Sequence, residues 1–113
     1  HPMNRNYDLT YLSGGDETMG PDFGGSTVRT IARAGFSKDC PNAAALLTNL
    51  VFDVEYENAG MGLILDDGIE PQEAAREMMR NNPDRVAKWL DGVTTRDGKD
   101  ALPVVQAYLD EKN

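Results

Sequence analysis

Of the side chains that do chemistry in proteins, this chain is short of the most versatile ones. His1 is its only histidine and Cys40 its only cysteine. A Ser–His–Asp relay needs an imidazole held by an acidic partner, and a histidine metal cluster needs several rings. A single ring at the first position supplies neither. Asp66-Asp67-Gly68 and Asp97-Gly98-Lys99-Asp100 do bring carboxylates together. Neither run has the alternating acidic ligands and distal glutamate of a calcium loop, and turn or cap roles account for both. Gly14-Gly15 and Gly24-Gly25 are not followed by a helix carrying a phosphate-loop lysine, so they read as loop glycines and not as an anion cradle. Trp89 has a ring face able to hold a cation. Its spacing with Val86 and Leu90 places it instead in a helical core stripe. Met78-Met79 reads the same way, as core before ligand surface. The expectation is no catalytic residue, no metal and no cofactor.

Charge narrows the partners. A formal net charge of −8 over 113 residues argues against nucleic acid and anionic membranes, both of which require a basic face. No stretch is long and apolar enough to span a bilayer. The lone thiol of Cys40 is either buried and inert or, in an exported protein, paired with a cysteine outside this stretch.

The elements that position these residues change character along the chain. Residues 1–6 are too polar for a core and read as a connecting stretch. Tyr7, Leu9 and Tyr11 alternate, which predicts a strand over Tyr7–Leu12. Ser13–Ser26 holds five glycines and a proline and reads as a loop. Thr27–Ala34 is rich in β-branched residues and alternates again, predicting a second strand. From there the period is helical. Ala43, Leu46, Leu47, Leu50 and Val51 form one stripe behind Pro41, and Phe52, Tyr56, Ala59 and Leu63 form another that ends at Gly68. Pro71 opens a third helix with Ala74, Ala75, Met78 and Met79 inward. Asn82-Pro83 restarts a fourth with Val86, Trp89 and Leu90. Asp100 caps a fifth with Val104, Val105, Tyr108 and Leu109 on one face. Two strands do not make a stable sheet alone. The pattern is the end of an α/β domain whose other strands lie elsewhere: residues 1–6 a connecting segment, and 7–113 part of one α/β lobe with carboxy-terminal helices. Taken by itself it also allows a small self-contained α/β interaction domain starting at Met3.

One family fits the ordered series. His1-Pro2-Met3-Asn4 followed by Tyr7-Asp8-Leu9-Thr10-Tyr11-Leu12 resembles a segment of the glycine betaine, choline and proline betaine binding proteins. There a tryptophan, one more residue and Pro-His precede a short strand of this type. The similarity continues through Pro41-Asn42, Leu47-Thr48-Asn49-Leu50, Gly68-Ile69-Glu70-Pro71-Gln72-Glu73-Ala74-Ala75 and Asn82-Pro83-Asp84-Arg85-Val86. It closes on Trp89-Leu90-Asp91-Gly92-Val93, which matches the family's Trp-Leu-x-Gly-Val. Gly14-Gly15-Asp16 and Gly20-Pro21-Asp22-Phe23-Gly24-Gly25 are most similar to the choline-binding branch.

The resemblance implies the carboxy-terminal portion of a two-lobed periplasmic-binding-protein fold of type II, α/β in class, with two strands followed by about five helices. It implies a periplasmic, non-enzymatic solute-binding subunit of an ABC importer, with a quaternary ammonium ligand and a transporter permease as partners. In the family the trimethylammonium head sits in a box of aromatic rings, whose negative faces attract a cation that donates no hydrogen bond. This chain begins just after the family's tryptophan, so most of that box belongs to earlier sequence. The resemblance leaves His1, Pro2, Met3 and Asn4 as the positions nearest the cleft, with His1 facing the polar end of the ligand or supporting the hinge. It implies too that the lobe is completed by the amino-terminal part of the same protein or by a second copy of the chain.

Overall fold

A computed structural model gives the fold, and it describes residues 1–111, leaving aside the side chains at positions 22 and 23. The regular elements among the described residues are helices. Four short ones come first: α1 (Met3–Asn6), α2 (Gly15–Met19), α3 (Pro21–Gly24) and α4 (Phe36–Asp39). Five longer ones follow: α5 (Pro41–Asn49), α6 (Val54–Leu65), α7 (Pro71–Arg80), α8 (Pro83–Trp89) and α9 (Ala101–Glu111).

The five later helices stand where the hydrophobic periods put them, and their ends show why. Pro41, Pro71 and Pro83 each occupy the first turn, where a missing N–H breaks no helical bond. Asp53 caps α6 by accepting the Tyr56 N–H at 2.8 Å, and Asp100 does the same for the Leu102 N–H at 3.1 Å. Gly68, at φ 70°, turns the chain left-handed after α6, so that the Ile69 N–H reaches back to the Leu63 carbonyl at 2.9 Å.

The core is Val86, Trp89, Leu90, Val93 and Ala101, with Leu46, Leu50, Tyr56 and Val105 packed against it. Two of the expected faces hold in part. On α6, Tyr56, Gly60 and Ile64 line the apolar cavity, while Ala59 and Leu63 are half-buried beside them. On α9, Ala101 and Leu109 are buried while Val104 and Tyr108 are exposed. A stripe of adjacent apolar residues fixes a helix but leaves about one residue of rotation to its neighbours. Cys40 is half-buried, with a free thiol.

The amino-terminal third differs from expectation. Tyr7–Leu12 and Thr27–Ala34 carry no strand, and the only bridge among the described residues is Thr94 with Asp100. The expected connecting stretch holds α1, and the expected loop holds α2 and α3. A strand exists only as part of a ladder, and no ladder forms at either segment here. Val28 is 91% exposed and Ile31 94%, so side chains chosen for a pleated, covered surface lie open. The chain is correspondingly spread out. Its Cα radius of gyration is 18.0 Å, against about 13 Å for a compact domain of this length. Its accessible surface is 8818 Å², against about 6100 Å² for a folded monomer of this mass.

Candidate functional site

Two places bring together residues that could meet a ligand. The first is the start of the chain. Pro2 is buried, while His1, Met3 and Asn4 are exposed. The His1 Nδ1 accepts the Met3 N–H at 3.3 Å, so that ring nitrogen is occupied by the first turn of α1. The helix is then fastened to α6. Asn6 Nδ2 donates to Asp66 Oδ2 at 2.6 Å, and the Arg5 guanidinium lies 4.0 Å from Glu55. The four positions singled out from the sequence therefore share one short turn, held on the side of α6 away from the core.

The second is aromatic. The Phe52 and Trp89 rings lie 5.2 Å apart, Tyr56 meets Trp89 edge-on at 5.6 Å, and Phe52 lies 5.9 Å from Tyr56. Three rings this close resemble a cation box, but their faces and edges are turned on one another. The Arg85 guanidinium already covers Tyr56 at 4.6 Å, and its other contact is Asp53 at 2.6 Å. The Trp89 indole N–H donates to the Val51 carbonyl at 3.2 Å, and the side chain is 7% exposed. Beside the rings an apolar cavity of about 480 Å³ opens toward Leu50, Ile64, Ala75 and Met79. Glu57 is its one charged lining residue. The rings are engaged mainly with one another and with Arg85, and the cavity beside them is lined by apolar side chains apart from Glu57.

The local electrostatics follow the same geometry. The Tyr56 N–H and then the Arg85 guanidinium hold the Asp53 carboxyl below the usual carboxylate range. Burial pushes the Tyr56 hydroxyl up, with Arg85 opposing it. Arg76, then Arg80, hold Glu73 low. Asp97 is held low by Lys99 and Thr95, so this carboxylate of the acidic turn is committed within it. These are paired surface groups, and their pairing is structural.

Several residues that matter to the site's frame are not ones the sequence made conspicuous. Asn42 Nδ2 donates to the Thr94 carbonyl at 2.7 Å and its Oδ1 accepts the Thr94 N–H at 2.8 Å. Asn49 Nδ2 donates to the carbonyls of Trp89 and Asp91 at 3.3 and 2.9 Å. Both ends of α5 are thereby tied to the turn after α8. A signal did exist, since Asn42, Asn49 and the Trp89–Val93 run are the motif positions quoted above. Their meaning, as a fastening between distant segments, appears only in three dimensions.

Comparison with known proteins places this helical chain, with its uncovered apolar side, among the solute-binding proteins of transport systems. The family model for the substrate-binding domain of ABC-type glycine betaine transport systems matches residues 1–81. The chain belongs to that family, whose members bind and deliver solutes and catalyse no reaction. Among curated proteins it is similar to the glycine betaine/carnitine transport binding protein GbuC of Listeria monocytogenes. The two are 38% identical over 98 residues, which is 87% of this chain and 31% of the relative. Among solved structures it is similar to an ABC-transporter choline binding protein in complex with choline, 51% identical with a TM-score of 0.83. It is also similar to a choline binding protein in an unliganded semi-closed conformation, 51% identical with a TM-score of 0.76. Each alignment covers 96% of this chain and 38% of the solved one. The chain thus spans about a third of the length of the proteins it matches.

Proposed function

We propose that the chain is the carboxy-terminal part of the solute-binding subunit of an ABC importer for quaternary ammonium compounds, choline or glycine betaine, working in the periplasm beside its permease. The observation that carries this is the 51% identity, at a TM-score of 0.83, to a choline binding protein holding choline, over nearly the whole chain. In this reading residues 1–6 are the connecting segment at the hinge. His1, Pro2, Met3 and Asn4 lie at the cleft edge, His1 with its Nε2 side toward the polar end of the ligand. The amino-terminal part of the same protein supplies the rest of the box and of the sheet.

The surface supports that partner. The chain exposes roughly 2700 Å² more than a compact monomer of its mass, far beyond the ~800 Å² per side of a standard interface and in the range of permanent ones. An open apolar cavity and two strand-like segments that form no strand here are what a covering lobe would fill and pair with. A second copy of the chain is the other occupant of that surface. A self-contained interaction domain would leave all of it open to water.

Isothermal titration of the full-length protein with choline and glycine betaine tests the function. Binding of either one is the expected outcome, and indifference to both overturns the reading.

A further inference from the structure

The turn that carries His1 has four helical residues, too few to hold a fixed place by helix formation alone. Its backbone is nevertheless one hydrogen-bonded unit. The Asn4 N–H donates to the His1 carbonyl at 3.0 Å, and those of Arg5 and Asn6 donate to the Pro2 carbonyl at 2.9 and 3.0 Å. The Met3 N–H, donating to His1 Nδ1 at 3.3 Å, ties the ring into the same unit. Whatever fixes Asn6 therefore fixes the His1 ring.

Asn6 is fixed by the far end of α6. Its Nδ2 donates to Asp66 Oδ2 at 2.6 Å, across 60 residues of sequence, and a bond to a carboxylate is of the stronger class. The neighbouring contact of Arg5 with Glu55 is long, at 4.0 Å, and exposed at both ends, so it holds less. The placing of Asp66 points the same way. It is the C-cap of α6, it is followed by Asp67, and the last turn of the helix has no basic residue. The carbonyl end of a helix carries partial negative charge and disfavours a carboxylate. What this carboxylate supplies in return is an acceptor for Asn6. Asn6 and Asp66 are both exposed, so their bond adds little to global stability. Its consequence is where α1 sits.

We infer that Asn6 and Asp66 are positioning residues for solute binding. The Asp66 carboxylate holds α1 against the end of α6 and thereby sets the His1 ring at the cleft edge. The inference rests on the binding-protein reading, in which His1 to Asn4 border the cleft. It adds that ligand affinity depends on a carboxylate that never touches the ligand.

Calorimetric titration of the full-length protein with choline, beside urea unfolding, tests this with Asn6→Ala, Asp66→Ala, the double variant and Asp66→Asn. Wild type is measured first: indifference to both choline and glycine betaine fails the function reading itself, and this inference with it. In a wild type that binds, each alanine variant should raise the choline Kd about threefold to tenfold, the effect of one lost hydrogen bond. The double variant should be no weaker than the worse single one, since both remove the same bond. Asp66→Asn keeps an oxygen to accept from Asn6 and should stay within about twofold of wild type. Urea midpoints should hardly move. An unchanged Kd in the alanine variants, with or without a lower midpoint, overturns the inference. So do additive losses in the double variant, or an Asp66→Asn as weak as Asp66→Ala, which would mean that the carboxylate acts by charge and not through Asn6. Should Asp66→Ala not fold, the Kd of Asn6→Ala decides.

Discussion

Replacing Trp89 by alanine would remove the largest side chain of the core cluster, one that is 7% exposed and in contact with both Phe52 and Tyr56. Trp→Ala changes in cores cost about 3–5 kcal/mol. Two features set the value within that range. The site already adjoins a 480 Å³ cavity, so part of the new void merges with existing space and the cost falls toward the lower end. The Val51 carbonyl, which loses the indole N–H, belongs to an exposed residue and can turn to water. We expect about 3–4 kcal/mol for Trp89→Ala, and about 1–2 kcal/mol for Trp89→Phe, which keeps a ring but loses the hydrogen bond and some area. Urea unfolding of the full-length protein followed by circular dichroism reads both, since fluorescence would lose its own probe. The same variants test what kind of residue Trp89 is. As core, Trp89→Phe lowers the unfolding midpoint and leaves the choline Kd within about twofold. A Kd raised about tenfold with an unchanged midpoint would mean that the indole stacks on the ligand, and would refute the assignment made from its geometry.

Three further outcomes are expected. Residues 1–113 alone should bind choline or glycine betaine no more tightly than millimolar and should self-associate in light scattering; submillimolar calorimetric affinity, or a dilute monomer with no exposed apolar patch, counts against the fragment reading. Asp53 has a folded pKa below its unfolded one, so its contribution is present in full above the unfolded value and is lost as pH falls through the folded value. Asp53→Asn should therefore flatten the acid limb of stability below about pH 4, and an unchanged acid limb in urea titrations would show that the Tyr56 and Arg85 contacts do not persist in solution. Cys40, half-buried here, should react with a thiol reagent at least about tenfold more slowly in the native full-length protein than in residues 1–113; equal rates would mean that the missing part does not cover it.

The five carboxy-terminal helices were determined by sequence alone, because their signals are local. Pro41, Pro71 and Pro83 begin helices by chemistry that acts within one turn, Asp100 and Gly68 end or cap them likewise, and the spacing of Val86, Trp89 and Leu90 puts them on one helical face. The family, too, was legible in the order of its motifs. Tertiary structure decided what depends on partners. Tyr7–Leu12 and Thr27–Ala34 have the composition of strands and form none, because a ladder is a property of two segments and composition speaks for only one of them. It turned α6 so that Tyr56, Gly60 and Ile64 face the cavity, gave Asn42 and Asn49 their ties to the turn after α8, and left the Asn58 carbonyl buried and unmatched. A hydrogen bond or a ring contact across forty residues leaves no period in the sequence, since its geometry exists only once distant segments have been brought to the same place.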